Sequence, residues 1–275
     1  MIGLRKIGLI AGQGSLPMLW TKAAQQKGYR VYAFPLLEQV DHSLTGIADQ
    51  VSGVNIGALN DLINTLHQYD IKQLVMIGKV EKSLLFKGLV LDSRLEGLLA
   101  GLKQLNDDSI LLGIVSELAK EGIEVLPQSF LIEELFPRKG VLTSRPPDQK
   151  LLTDLNYAFK IAREIGRLDI GQTVVVKNRT ILAVEAIEGT DQAIIRGGEL
   201  GGPGIVVAKV SKPQQDFRFD IPTIGETTIE KLIAVNASGL VIEAGKTFLL
   251  AREQVTSLAE ENGIVIMARD FAETE

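Results

Sequence analysis

Cysteine is absent from the 275 residues and histidine occurs only twice. That excludes disulfides, thiolate nucleophiles and thiolate metal sites, and leaves too few imidazoles for an all-histidine zinc site. Any metal must therefore be held mainly by oxygen. No apolar run approaches the roughly 20 residues that span a bilayer. The opening MIGLRKIGLIAGQG turns polar and glycine-rich too early for a secretory signal, so a cytoplasmic protein is expected. Positive charge is also scarce: 29 Lys and Arg stand against 34 Asp and Glu, a net charge of −5. No global field attracts a nucleic-acid backbone, no dense basic patch replaces it, and no nucleic-acid partner is expected. What is present is ordinary for a folded chain, with 45% hydrophobic and 23% charged residues.

The length favours two cores over one. An apolar run at 6–11 (KIGLIA) meets Gly12-Gln13-Gly14, and a helical segment at 16–26 follows with Gly28 placed to stop it. Strands are expected at 30–36, 73–77 and 124–126, and helices at 59–69, 91–104 and 110–121. Strand and helix alternate as in a parallel sheet with crossover helices, which predicts an α/β fold with a Rossmann-like N-terminal domain over 1–136. Residues 137–149 gather prolines among polar residues and read as a linker. A distinct C-terminal α/β domain is expected over 150–275. It has helices at 151–165, 227–237 and 254–262, and strands at 173–177, 180–184, 204–210, 239–243, 247–250 and 264–268. No internal repeat or low-complexity tract is visible.

Four segments could carry chemistry. Gly12, Gly14 and Ser15 stand where a strand hands over to a helix, and exposed amides there could bind a phosphate. The third glycine of the dinucleotide fingerprint is missing, and Pro17 suits the first helical turn, so a tight turn without ligand is the alternative. Lys79 and Lys82 follow the 73–77 strand, at the sheet end where α/β ligands usually lie. In SKPQQDFRFDIP, Asp216, Arg218 and Asp220 share one parity while Phe217, Phe219 and Ile221 share the other. An extended strand would put the three charges on one face, about 7 Å apart; the alternative is a solvated amphipathic strand.

The segment VEAIEGTD places Glu185, Glu188 and Asp191 together at the end of a strand, with Thr190 or Asp191 able to cap a helix. Magnesium held by one or two such carboxylates and a substrate phosphate is one reading; a capping box with solvated acids is the other. The glycine run at 196–204 (RGGELGGPG) either wraps a phosphate or moves, and the nearby Lys209 and Lys212 are candidates to neutralise a phosphate oxygen. His42 and His67 have no partner pattern and read as surface or helix-face residues.

Taken in order, GLIAGQGSLP, GKVEKSLLF at 78–86, LAVEAIEGTD, KPQQDFRFDIPTIG and EAGKT at 243–247 resemble the bacterial UDP-2,3-diacylglucosamine pyrophosphatases of the LpxI type over nearly the full length. The resemblance implies hydrolysis of UDP-2,3-diacylglucosamine to UMP and 2,3-diacylglucosamine 1-phosphate in lipid A biosynthesis. It implies Mg2+ or another divalent cation such as Mn2+, and a lipid-sugar nucleotide held between two domains. It also implies transient contact with the inner-membrane surface, with homo-oligomerisation left open. The family's catalytic aspartate maps onto Asp220, and Asp216 stands where relatives are expected to carry either acid. Beside Asp220 and Asp216, the chemistry of the residues offers Lys209, Lys212 or Arg218 to stabilise a charged transition state, with Gly12, Gly14, Ser15, Lys79 and Thr190 toward substrate. Asp220, Asp191 and Glu188 are the expected metal ligands. Attack is expected at the phosphorus attached to the sugar.

Two other readings compete. A nicotinamide-dependent oxidoreductase would use the first strand–glycine–helix unit, but GxGxxG is incomplete and the 30–36 strand ends without the acid that grips a ribose. A non-catalytic nucleotide-binding protein would leave the acids of the second half without a task.

Overall fold

The computed structural model describes residues 5–36, 38–80 and 90–271. The GKVEKSLLF motif beyond residue 80, including Lys82, lies outside the described residues. The chain divides into two compact units, the first made of Met1–Glu133 with Phe217–Phe219, the second of Glu134–Asp216 with Asp220–Glu275.

In the first unit, β1 (Arg5–Ala11), α1 (Leu16–Gln26), β2 (Tyr29–Pro35), α2 (Glu38–Leu44), β3 (Gln50–Val51), α3 (Leu59–Gln68), β4 (Gln73–Ile77), α4 (Ser93–Gly101), α5 (Asp107–Lys120) and β5 (Glu124–Val125) follow in order. The sheet order is β3-β2-β1-β4-β5 and each pairing is parallel. Strands buried on both faces explain the unbroken apolar run of β1, whose residues Ile7 to Ala11 are all buried. Trp20 is fully buried, and its indole N–H donates to the Phe130 carbonyl at 2.7 Å. Phe219 belongs to this unit and packs with Ile10, Phe34 and Leu118 in its core, 4% exposed.

The second unit contains β6 (Gly140–Val141), α6 (Gln149–Arg167), β7 (Thr173–Lys177), β8 (Thr180–Val184), α7 (Thr190–Gly201), β9 (Val206–Lys209), β10 (Thr223–Ile224), α8 (Glu226–Ala234), β11 (Gly239–Glu243), β12 (Phe248–Leu249), α9 (Arg252–Glu261) and β13 (Val265–Arg269). Its six-stranded sheet runs β6-β13-β11-β9-β7-β8, with β9, β11 and β13 parallel and β6 and β7 antiparallel to their neighbours. Period-two alternation sorts the side chains. Val174, Val176, Val206 and Ala208 meet Phe159 and Leu155 of α6, while Val175, Val207 and Leu240 meet the core that includes Ile194, Ile229 and Val255 of α7, α8 and α9. β10 and β12 form a separate parallel pair.

Two expectations are corrected here. Residues 137–149, expected as a linker, supply an edge strand: Val141 and Gly140 pair with Met267 and Ala268, and Leu142 N–H donates to Ile266 O at 2.8 Å. Prolines flank that pairing without interrupting it. The glycine run at 196–204 is mostly helix α7 and does not form a phosphate loop. A Cβ at Gly197 would stand 2.5 Å from Val175 Cγ1, and one at Gly198 2.4 Å from the Val235 Cβ. These glycines let a helix lie close to its neighbours.

Candidate functional site

The parallel strands β9, β11 and β13 share a carboxyl end, and that end collects the polar groups of the second unit. Antiparallel pairing sets Thr173 opposite Lys209 and Val174 opposite Val184, so the start of β7 and the end of β8 join the same edge. Gln172, Thr173, Glu185, Lys209, Ser211 and Glu243 all arrive there. Ligands of open α/β sheets bind at this end because helix N-termini and loops converge on it.

A connected set of hydrogen bonds runs along the edge. Gln172 Nε2 donates to Asp220 Oδ2 at 3.0 Å, and Gln172 N–H approaches Glu185 Oε2 at 3.4 Å. The Thr190 hydroxyl donates to Glu185 Oε1 at 3.0 Å and lies 3.4 Å from the Thr173 hydroxyl. Lys209 Nζ donates to Thr223 O at 3.1 Å, and Lys212 Nζ pairs with Asp169 Oδ1 at 2.6 Å. The nearly buried Glu243 accepts Ser211 N–H at 3.0 Å and pairs with Lys246 at 2.8 Å, which gives the EAGKT segment its place beside β9.

The segment carrying Asp216, Arg218 and Asp220 is not a strand. Turns occupy 213–214 and 217–218, and Asp220 adopts a left-handed backbone with φ 57°. Aspartate tolerates that conformation better than most residues, because its short side chain can bond locally. Prolines 213 and 222 bound the stretch and withhold ladder donors. The expected single face of three charges therefore does not form. Arg218 falls within the first unit, where it lines a cavity with Glu124 and Val125, while Asp216 and Asp220 fall within the second. The apolar parity survives in part, since Phe219 and Ile221 are buried and Asp220 is exposed.

The expected metal set also fails to assemble. Glu188 is engaged by Arg196 and accepts Ala186 N–H at 3.1 Å; hydrogen bonds from its own backbone, Arg196 and Ala186 hold its carboxyl below the ordinary range. It closes a turn ahead of α7, and Asp191 stands in the first turn of that helix. Among the described residues no group of three acidic, histidine or cysteine side chains could hold a metal ion. What the edge does offer is two carboxylates, Asp220 and Glu185, both touched by Gln172. A hard cation that arrives with phosphate oxygens needs no more than one or two, so these donors fit a magnesium shared with substrate.

In the first unit, Gly12 and Gly78 meet backbone to backbone: a Cβ on Gly12 would lie 2.7 Å from Gly78 C. Gln13 and Lys79 exchange N–H to O bonds of 2.8 and 2.9 Å, which brings Gly12, Gly14, Ser15 and Lys79 together beyond the ends of β1 and β4. Gly14 and Ser15 are exposed, with Gly14 at φ 106° and the Ser15 side chain making no helix cap. Gly12 thus has a packing reason, whereas Gly14 meets open space. His67 faces Glu121 at 3.4 Å, and His42 is exposed on α2.

Gln172 had no sequence signal beyond a Gly-Gln pair ahead of TVVVK. Gly171 explains the pair, because a Cβ there would come within 2.2 Å of Glu185 O. Glycine lets the chain pass the end of β8 and present Gln172 to the edge.

Fold and site together define a two-unit α/β protein with carboxylates and lysines gathered at the carboxyl edge of its second sheet. Residues 6–135 match the LpxI N-terminal domain model and residues 138–267 the LpxI C-terminal domain model. The chain belongs to the LpxI family. It is 33% identical over 282 aligned positions, 97% of this chain and 98% of the other, to the UDP-2,3-diacylglucosamine pyrophosphatase LpxI of Caulobacter vibrioides (strain ATCC 19089 / CIP 103742 / CB 15). Among solved structures, the biotin carboxylase subunit of pyruvate carboxylase aligns at 14% identity and a TM-score of 0.28, over 68% of this chain and 39% of that one. At that score the likeness says nothing of this chain's chemistry.

Proposed function

We propose that this protein hydrolyses UDP-2,3-diacylglucosamine to UMP and 2,3-diacylglucosamine 1-phosphate, a step of lipid A biosynthesis. It is a hydrolase of a phosphoric anhydride, as its family membership supports. The observation that carries the site assignment is Asp220, exposed at the carboxyl edge of the second sheet and held there by the Gln172 amide.

An anhydride of two phosphates repels an incoming water until cations withdraw charge from its oxygens. Lys209 and Lys212 stand at the sheet edge to do this, and Asp220 accepts the proton of the attacking water. Together with the substrate phosphates, Glu185 would hold a divalent cation, which when bound polarises the phosphoryl oxygens. Thr190 reaches the same edge through Glu185 and offers its hydroxyl to a phosphate. Among the described residues no helix is long and apolar enough to cross a membrane. The two acyl chains of the substrate favour transient contact of a cytoplasmic protein with the membrane surface.

The test is UMP release from UDP-2,3-diacylglucosamine in the presence of magnesium. Turnover by the wild type and its loss in Asp220→Ala are expected. No turnover by the wild type overturns the activity; full turnover by Asp220→Ala overturns the residue assignment.

A further inference from the structure

Asp220 is exposed and sits in a left-handed turn, so something other than burial must aim it. Gln172 is fixed on three sides. Its carbonyl accepts Val210 N–H at 3.0 Å, its own N–H turns to Glu185, and Gly171 before it permits the close passage of β8. From this anchored position Nε2 donates to Asp220 Oδ2 at 3.0 Å. That bond decides which way the amide lies, since the reverse orientation would set two acceptors against each other. The orientation leaves Oε1 as a buried acceptor that finds no donor among the described residues. Buried amide oxygens are normally satisfied, and leaving this one without a donor shows that the side chain is held for the bond to Asp220.

We infer that Gln172 is a positioning residue for hydrolysis, orienting the Asp220 carboxylate through Nε2. The inference rests on the assignment of Asp220 above. Water held by the Asp220 carboxylate directs a lone pair at phosphorus. As the new O–P bond forms, one water proton passes to Asp220. The P–O bond to the bridging oxygen breaks, and its electron pair leaves with the other phosphate. Asp220 then returns its proton to solvent.

The experiment compares wild type, Gln172→Ala, Gln172→Glu and Asp220→Ala in UMP release, with thermal melting of each. Gln172→Ala is expected to lower kcat about 10–100-fold, the scale of a misplaced reacting group, with KM changed less than about threefold. Gln172→Glu keeps the size but sets a carboxylate against Asp220, and is expected to fall below Gln172→Ala near neutral pH. A merely structural role predicts the reverse order, with the size-preserving variant the better one; that order overturns the inference. Wild-type kcat in Gln172→Ala, or a change confined to KM, also overturns it. If Asp220→Ala is inactive in the same assay, only the role of Gln172 has failed. If Asp220→Ala is fully active, the assignment beneath it has failed as well.

Discussion

Lys212 and Asp169 form an ion pair of 2.6 Å in which the lysine is largely covered and the aspartate half exposed. Asp169 has a left-handed backbone at φ 57°, a conformation asparagine adopts as readily as aspartate. Asp169→Asn thus removes the charge and keeps the turn. A lysine that neutralises phosphate and a lysine that holds a turn respond differently. Lys212→Met is expected to lower kcat/KM about tenfold or more, the scale of a charge-assisted hydrogen bond of about 1.5–3 kcal/mol. Asp169→Asn should change it less than about threefold, as partly exposed pairs contribute little. Steady-state kinetics on the two variants decide the matter, and equal losses would make the pair structural.

Asp154, buried on α6, accepts the N–H groups of both Asn178 and Arg179 at 2.8 Å. These two residues form the turn between β7 and β8 with φ 50° and 57°, the primed-turn geometry that matches strand twist. Asparagine suits it and arginine does not, so the carboxylate supports a turn that side-chain preference alone would not. Asp154→Ala is expected to destabilise by about 2–4 kcal/mol, by leaving two amides without their charged acceptor. Arg179→Gly should stabilise by up to about 1 kcal/mol. Urea midpoints at unchanged slope measure both.

Legibility of the fold followed locality. The apolar runs of β4, β7, β8 and β11 and the periodicity of α1 were readable because each depends on neighbours within one element. Asp220 was readable as a candidate only through its motif. Its left-handed backbone was not, because alternation of charge with aromatic residues looks alike in a strand and in a turn whose apolar members are buried. Gln172 depends on residue 220, forty-eight positions away, and on the antiparallel placement of β7 against β9. Glu188 looked like a ligand because composition does not reveal that Arg196, two turns along α7, already claims it. Gly197 and Gly198 are ambiguous in sequence for the same reason: close helix packing and a phosphate loop both call for glycine.

Arg94 of α4 bonds Glu117 of α5 at 2.8 Å and Glu121, the residue that caps that helix, at 2.7 Å. Lys120 and Arg94 hold the Glu117 carboxyl below its ordinary value of 4.5, and Arg94 and His67 do the same for Glu121. A carboxyl whose folded value is depressed stabilises above its unfolded value, and that contribution is lost as pH falls through the folded one. Stability from this network should therefore be constant above about pH 5 and decline through and below 4.5. Arg94→Met is expected to flatten that decline, and melting temperatures of the two proteins between pH 3 and pH 7, read at about half-unit steps, test it. Parallel curves would remove the network as a source of acid sensitivity.

Phe219 is 4% exposed in the core of the first unit, and the next residue is Asp220 of the second. Phe219→Ala should destabilise by about 3–5 kcal/mol, the cost of emptying a large aromatic site, while Phe219→Leu should cost considerably less. The backbone of Asp220 follows directly from this anchor, so activity carries separate information. At a temperature where both variants remain folded, Phe219→Ala should lower kcat more than Phe219→Leu, because a displaced carboxylate of about 1 Å is enough to slow a positioned reaction 100-fold. Circular dichroism establishes the folded fraction, and UMP release at that temperature supplies kcat. Equal kcat in the two folded variants would show that the Phe219 anchor serves the first unit's core and does not set the aim of Asp220.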